Sequence, residues 1–179
     1  MCYFLLLVTS LFLLAAACTK EDDSPADPLD ELPPATQVGA NTFGCLIDGV
    51  PFVNQGGGNA ARDVSGSYQT MPYELLSVVG KELNLDPEDF LSRSVLFRSN
   101  NIDEGIVTPD FSQYSYMYRN ATADDRYYID STKQYRYEII FHDASRNVVA
   151  GIFENTSYCP ATGDTIHITD GRFDVIYFE

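Results

Sequence analysis

The sequence predicts an all-β domain, an antiparallel β-sandwich or partly open barrel of about nine strands with one short helix. Three observations lead there. Tyr (12) and Phe (11) are abundant and Trp is absent, and the many Val, Ile and Thr beside them favour half-buried strands. Apolar residues alternate at period two in segment after segment. Turn-forming clusters separate those segments at short intervals, among them Asp48-Gly49, Ala144-Ser145-Arg146-Asn147 and Pro160-Ala161-Thr162-Gly163.

The elements follow in order. Thr42 to Asp48 places Phe43, Cys45 and Ile47 on one face, and Asp48-Gly49 turns the chain into Val50 to Val53 as its partner. Gln55 to Gly66, rich in Gly, Asn and Ala, reads as a loop, and Tyr73 to Glu82 as the next strand. Asp86-Pro87-Glu88-Asp89 combines an N-cap residue, Pro in the first turn and acids beside the helix dipole, which predicts a short helix to about Ser92. Val95 to Arg98 is a strand and Asn100 to Asp110 a turn-rich connection. Ser112 to Arg119, Arg126 to Ile129, Tyr135 to Asp143, Val148 to Tyr158, Thr165 to Thr169 and Arg172 to Phe178 complete the set. Asp170-Gly171 reads as a bulge inside the last of them.

The N-terminal segment is different in kind. Phe4 to Ala17 is apolar except for Thr9 and Ser10 and ends in Ala15-Ala16-Ala17-Cys18. Those 14 residues fall short of the ~20 a membrane-crossing helix needs and suit a signal-peptide core with small residues before a cut. Met1-Cys2-Tyr3 departs from that pattern in having no Lys or Arg. Residues 1–17 are therefore read as a lipoprotein signal peptide, with Cys18 as the lipidated first residue of the mature protein. Residues 18–34 are read as a tether. Thr19 to Pro34 holds four prolines, six acids and one base, a composition expected to stay extended and solvated. That leaves 35–179 as one domain of ordinary size with ten bases and twenty acids. Its acidity excludes binding to phosphate backbones, so no nucleic-acid partner is expected.

Cys45 and Cys159 remain in a compartment that permits oxidation, which invites a disulfide; two separate buried thiols are the alternative. The two histidines, His142 and His167, sit in strands without metal-ligand spacing, and no metal or cofactor is expected. No nucleophile elbow, zinc-protease helix or phosphate loop occurs, so no catalytic residues are assigned. Asp124 with Asp125, or Glu88 with Asp89, brought beside another acid by the fold, would supply paired carboxylates and keep a hydrolase as a lesser alternative. The stronger lead is aromatic. Tyr114, Tyr116 and Tyr118 alternate on one strand, with Tyr127, Tyr128, Tyr135 and Tyr137 downstream, and would form a platform for a sugar face unless that face is the core.

Two resemblances add to this reading. Lys20-Glu21-Asp22-Asp23 directly after Cys18-Thr19 resembles the signal that exports Bacteroidota lipoproteins to the outer face of the outer membrane. Asn41 to Gly49, Val149 to Phe153 and Gly163 to Asp174 resemble segments of a family of Bacteroidota outer-membrane lipoproteins with an all-β domain of unknown function. The resemblance implies a lipid anchor and an all-β fold, and no reaction. The resulting expectation is a surface-exposed, outer-membrane, non-catalytic binding or accessory module for a glycan or protein. A structural envelope component that recognises only a partner protein is the alternative.

Overall fold

The computed structural model describes residues 27–55, 62–71, 73–84, 91–120 and 122–179. The period-two segments among them form eleven strands. These are β1 (Thr42–Ile47), β2 (Val50–Gln55), β3 (Arg62–Gln69), β4 (Leu75–Asn84), β5 (Leu91–Ser99), β6 (Gly105–Ile106), β7 (Tyr114–Asn120), β8 (Asp124–Ile129), β9 (Arg136–Asp143), β10 (Val148–Tyr158) and β11 (Thr165–Phe178). Asp48 and Gly49 both take positive φ, 49° and 79°, the conformation a two-residue hairpin turn between twisted strands requires.

All eleven lie in one sheet in the order β2-β1-β11-β3-β4-β5-β7-β8-β10-β9-β6, and β10 pairs with β11 as well. The sheet therefore returns on itself without becoming a barrel. One half is β2-β1-β11-β10-β9-β6 and the other β3-β4-β5-β7-β8. Two narrow seams join them: Tyr177 and Phe178 run parallel to Gly66 and Ser67, and Ser157 and Tyr158 pair with Ile129 and Tyr128. The core fills the space between the halves. Phe97 of β5 meets Phe173 of β11 at 4.7 Å and Tyr137 of β9 at 4.9 Å, and Phe43 of β1 meets Phe153 of β10 at 5.4 Å.

The bulge expected at Asp170-Gly171 is present. From Gly44 to Leu46 on β1, and from Phe153 to Asn155 on β10, the β11 partner advances by three residues against two. Asp170 has φ 54°, and a Cβ on Gly171 would collide with the Phe153 carbonyl and ring. The bulge bends β11 so that its first part lies between β1 and β10 while its end reaches β3.

Three expectations are corrected. Residues 62–66, read as part of a loop, belong to β3, where Val64 and Gly66 are buried and Asp63 and Ser65 are exposed. Leu91 and Ser92, read as the end of a helix, open β5; the rest of that helix falls on 85–90, outside the described residues. The tether's end is neither uniformly extended nor uniformly solvated. Asp27 caps a 3-10 turn over Pro28–Glu31 through its side chain, and Leu32 and Pro33 are buried. Pro33 lies so close over Gly44 that a Cβ there would stand 2.5 Å from its Cδ.

From Pro33 the chain crosses the outer face of the first half as a strap. The Asp174 carboxylate, only 1% exposed, accepts from the Thr36 hydroxyl at 2.6 Å and from the N–H groups of Val38, Gly39 and Ala40 at 3.0, 2.7 and 3.2 Å. Asn41 Oδ1 then accepts from the Ile176 N–H, and the chain enters β1.

Candidate functional site

Tyr114, Tyr116 and Tyr118 do not share a face, which corrects the platform expected along their strand. Pairing of β7 with β8 slips between Tyr114, opposite Tyr128, and Tyr116, opposite Tyr127. The bulge turns both Ser115 and Tyr116 inward. Tyr116 is 7% exposed with its ring 5.5 Å from Tyr127, and burial pushes its phenol up to about 12. Tyr118 packs against the core and accepts a hydrogen bond from Asn120 Nδ2. Tyr127 and Tyr137 are core residues too.

A different row of tyrosines forms across the strands. Tyr114 on β7 stands opposite Tyr128 on β8, and Tyr128 stands opposite Tyr158 on β10. All three point outward, away from buried Tyr127 and Ser157. At ~4.8 Å between neighbouring strands the row is about 10 Å long. Tyr158 is 44% exposed. Among the described residues, neither Tyr128 nor Tyr158 gives its ring or hydroxyl to a side-chain partner. Tyr114 lies under the Arg126 guanidinium, 5.8 Å from its ring centre.

A hollow opens on each side of this row. One, of about 620 Å³, is lined by Tyr128, Tyr158, Phe111 and Pro160 and by the turn Asp130-Ser131-Thr132. Phe111 is steadied by an edge contact with Tyr135 at 5.3 Å. Asp130 Oδ1 accepts from the Thr132 hydroxyl at 2.6 Å and the Thr132 N–H at 2.9 Å, and these bonds hold its carboxyl below the ordinary value. The other hollow, of about 380 Å³, lies beside Asp124, Arg126 and Ala161. Asp124 there is bridged to Arg119 at 3.3 Å and Arg126 at 3.6 Å. Each hollow joins apolar faces to a few placed polar groups, the usual character of a small-molecule site.

The cysteines do not form the expected bridge: Cys45 and Cys159 are both free and buried. Cys45 faces the bulged stretch between Thr169 and Arg172, whereas the Cys159 N–H donates to Asp164. Roughly six residues of chain at ~3.3 Å each separate those positions by on the order of 20 Å, beyond any disulfide span. Burial pushes the Cys45 thiol up. Burial raises Cys159 as well, but hydrogen bonds from Thr162, Ala161 and Arg126 more than offset this and hold it below the usual thiol value.

His142 Nε2 contacts the Tyr177 hydroxyl at 3.0 Å and His167 Nδ1 the Thr156 hydroxyl at 3.2 Å. Among the described residues no cluster of His, Cys, Asp and Glu could hold a metal ion. Asp124 and Asp125 are consecutive on β8 and so project to opposite faces of the sheet. Glu88 and Asp89, like Cys18 and Lys20 to Asp23, lie outside the described residues. No described helix is long and apolar enough to cross a membrane.

Sequence reasoning missed Phe111 and Tyr158, and it named Tyr128 without placing it at the centre. No period within one strand marks them, because they meet only through pairing between strands distant in sequence. Comparison with protein families, curated proteins and solved structures returned no match.

Proposed function

We propose that this chain is a lipid-anchored envelope protein that binds a glycan, without catalysis, on the Tyr114–Tyr128–Tyr158 row. The apolar segment ending at Cys18, followed by Lys20 to Asp23, supports the anchor and an outward-facing position in the outer membrane. The observation that carries the binding function is the row itself: aromatic rings from three strands, with the Tyr128 and Tyr158 phenols unpartnered among the described residues. Such rings stack on the C–H faces of sugars while hydroxyls and carboxylates at the margin meet the sugar hydroxyls. The divergence of Asp124 and Asp125 weighs against a paired-carboxylate hydrolase built on them.

The test is a glycan array probed with the detergent-solubilised full chain. Binding should fall at least tenfold in Tyr128→Ala and in Tyr158→Ala, whose circular dichroism should match that of the unsubstituted protein. Tyr116→Ala would lose binding only by damaging the core. Absence of any glycan signal would overturn this reading.

The structural-component reading keeps one observation of its own. Phe178, Met71 and Tyr73 are 71%, 84% and 64% exposed. Phe178 stands beside Ser67, near the end of the strand that leads to Met71 and Tyr73. Crosslinking from that end of the molecule, with no glycan bound, would favour a partner protein.

A further inference from the structure

We infer that the glycan is neutral and that Asp130 selects it, an inference that rests on the glycan reading above. Asp130 follows Tyr128 by two residues and lines the larger hollow together with Tyr128 and Tyr158. Its Oδ1 is committed to Thr132 twice over, which fixes the orientation of the carboxylate. Its Oδ2 has no partner among the described residues. A fixed carboxylate oxygen beside an aromatic face is an acceptor matched to a hydroxyl donor, and such charge-assisted bonds are about twice as strong as neutral ones. A sugar ring stacked on Tyr128 brings its hydroxyl edge towards this group.

The same oxygen rejects a second anion. A uronate or sulfate seated on Tyr128 would set like charge against Asp130, in a domain carrying ten bases and twenty acids. The nearby cations do little to offset this. Arg126 lines the other hollow, where Asp124 binds it and the Tyr114 ring lies beneath it. Lys133 is exposed at the end of the turn and acts on Asp130 more weakly than Thr132 does. The hollow therefore offers hydroxyls an acceptor and gives an anionic group no committed counter-ion.

Hexasaccharides of α-1,4-glucan, β-1,4-glucan and β-1,4-mannan, each paired with its C6-carboxylated counterpart, test this on the full chain in detergent by calorimetric titration. For any neutral member that binds, the carboxylated partner should bind at least tenfold more weakly at 20 mM salt, and the gap should narrow at 300 mM. Asp130→Asn keeps an oxygen for Thr132 and should bring the pair towards parity, and Tyr128→Ala should weaken both. Equal or tighter binding of the carboxylated sugar, or an unchanged ratio in Asp130→Asn, overturns the role of Asp130 and leaves the glycan reading standing. Binding of no member overturns both.

Discussion

Replacing Asp174 tests how the chain between tether and sheet is held. Its carboxylate is buried and accepts from the Thr36 hydroxyl and three consecutive backbone N–H groups, all within 3.2 Å. Asp174→Ala leaves four donors facing an apolar methyl. A hydrogen bond to a charged group contributes about 1.5–3 kcal/mol, so full additivity would exceed 6 kcal/mol. That sum overstates the loss, because residues 36–40 can lift away and find water. Lifting in turn uncovers Val148 and Ala150, which are 2% and 0% exposed beneath the strap. The expected cost is therefore about 3–5 kcal/mol, the range for removing one partner from a buried charged network. Asp174→Asn should lose most of this, since its amide nitrogen would face donors.

The pH dependence has a definite sign. Burial raises the Asp174 carboxyl, but the bonds from Thr36, Val38, Ala40 and Gly39 outweigh it and leave the folded value below the ordinary one. A depressed folded value contributes stability above the unfolded carboxylate value of ~3.9, lost as pH falls through the lower folded value. Urea unfolding of the wild type and Asp174→Asn should thus differ by a constant amount from pH 5 to 7, and the gap should close below about pH 4. A loss under 0.5 kcal/mol in Asp174→Ala, or a gap that stays constant to pH 3, would refute the reasoning.

Two further outcomes are expected. Asn155 bridges a buried chain in which Ser115 and Ser157 hydroxyls meet at 2.6 Å, Ser157 donates to Asn155 Oδ1 at 2.6 Å, and Asn155 Nδ2 donates to Tyr137 at 3.0 Å. Asn155→Ala should cost about 2–4 kcal/mol by denaturant unfolding, because it strands the buried Tyr137 hydroxyl and takes away the acceptor of Ser157. The free thiols should make stability indifferent to reductant, and Cys45 should react with a thiol reagent only once the protein unfolds.

The sequence was legible where one strand face is uniformly apolar and turns have special backbone needs. β10 runs between the two turn clusters that bound it in the sequence, and the bulge at Asp170-Gly171 shows in the residues themselves, an Asp able to take positive φ and a Gly under a ring. β3 was illegible because its inward face spends one position on Gly66, where a Cβ would stand 2.8 Å from Val175. Only Val64 and Tyr68 are left to mark the strand among polar outward residues. The strap was illegible because Leu32 and Pro33 sit among acids whose composition alone says solvated. The tyrosine platform failed for a third reason. The slip at Ser115 has no Gly or Asp to announce it, and the partner that Ser115 meets on turning inward is the hydroxyl of Ser157, forty-two residues away.

That last contact explains why the aromatic row lies where the sheet closes. The second seam is only two residues wide, Ser157 with Ile129 and Tyr158 with Tyr128. Because side chains alternate along a strand, fixing Ser157 inward fixes Tyr158 outward. Ser157 is fixed by Ser115 and Asn155 on the inside, so the polar chain in the core sets the register of the rings outside. Ser115 turns inward beside Tyr116 at its bulge, and this leaves Tyr114 on the outer side to complete the row. A shift of one residue at this seam would bury Tyr158 and expose Ser157. The polar residues enclosed there thus do more than satisfy one another: they exclude the pairing in which the row would not exist.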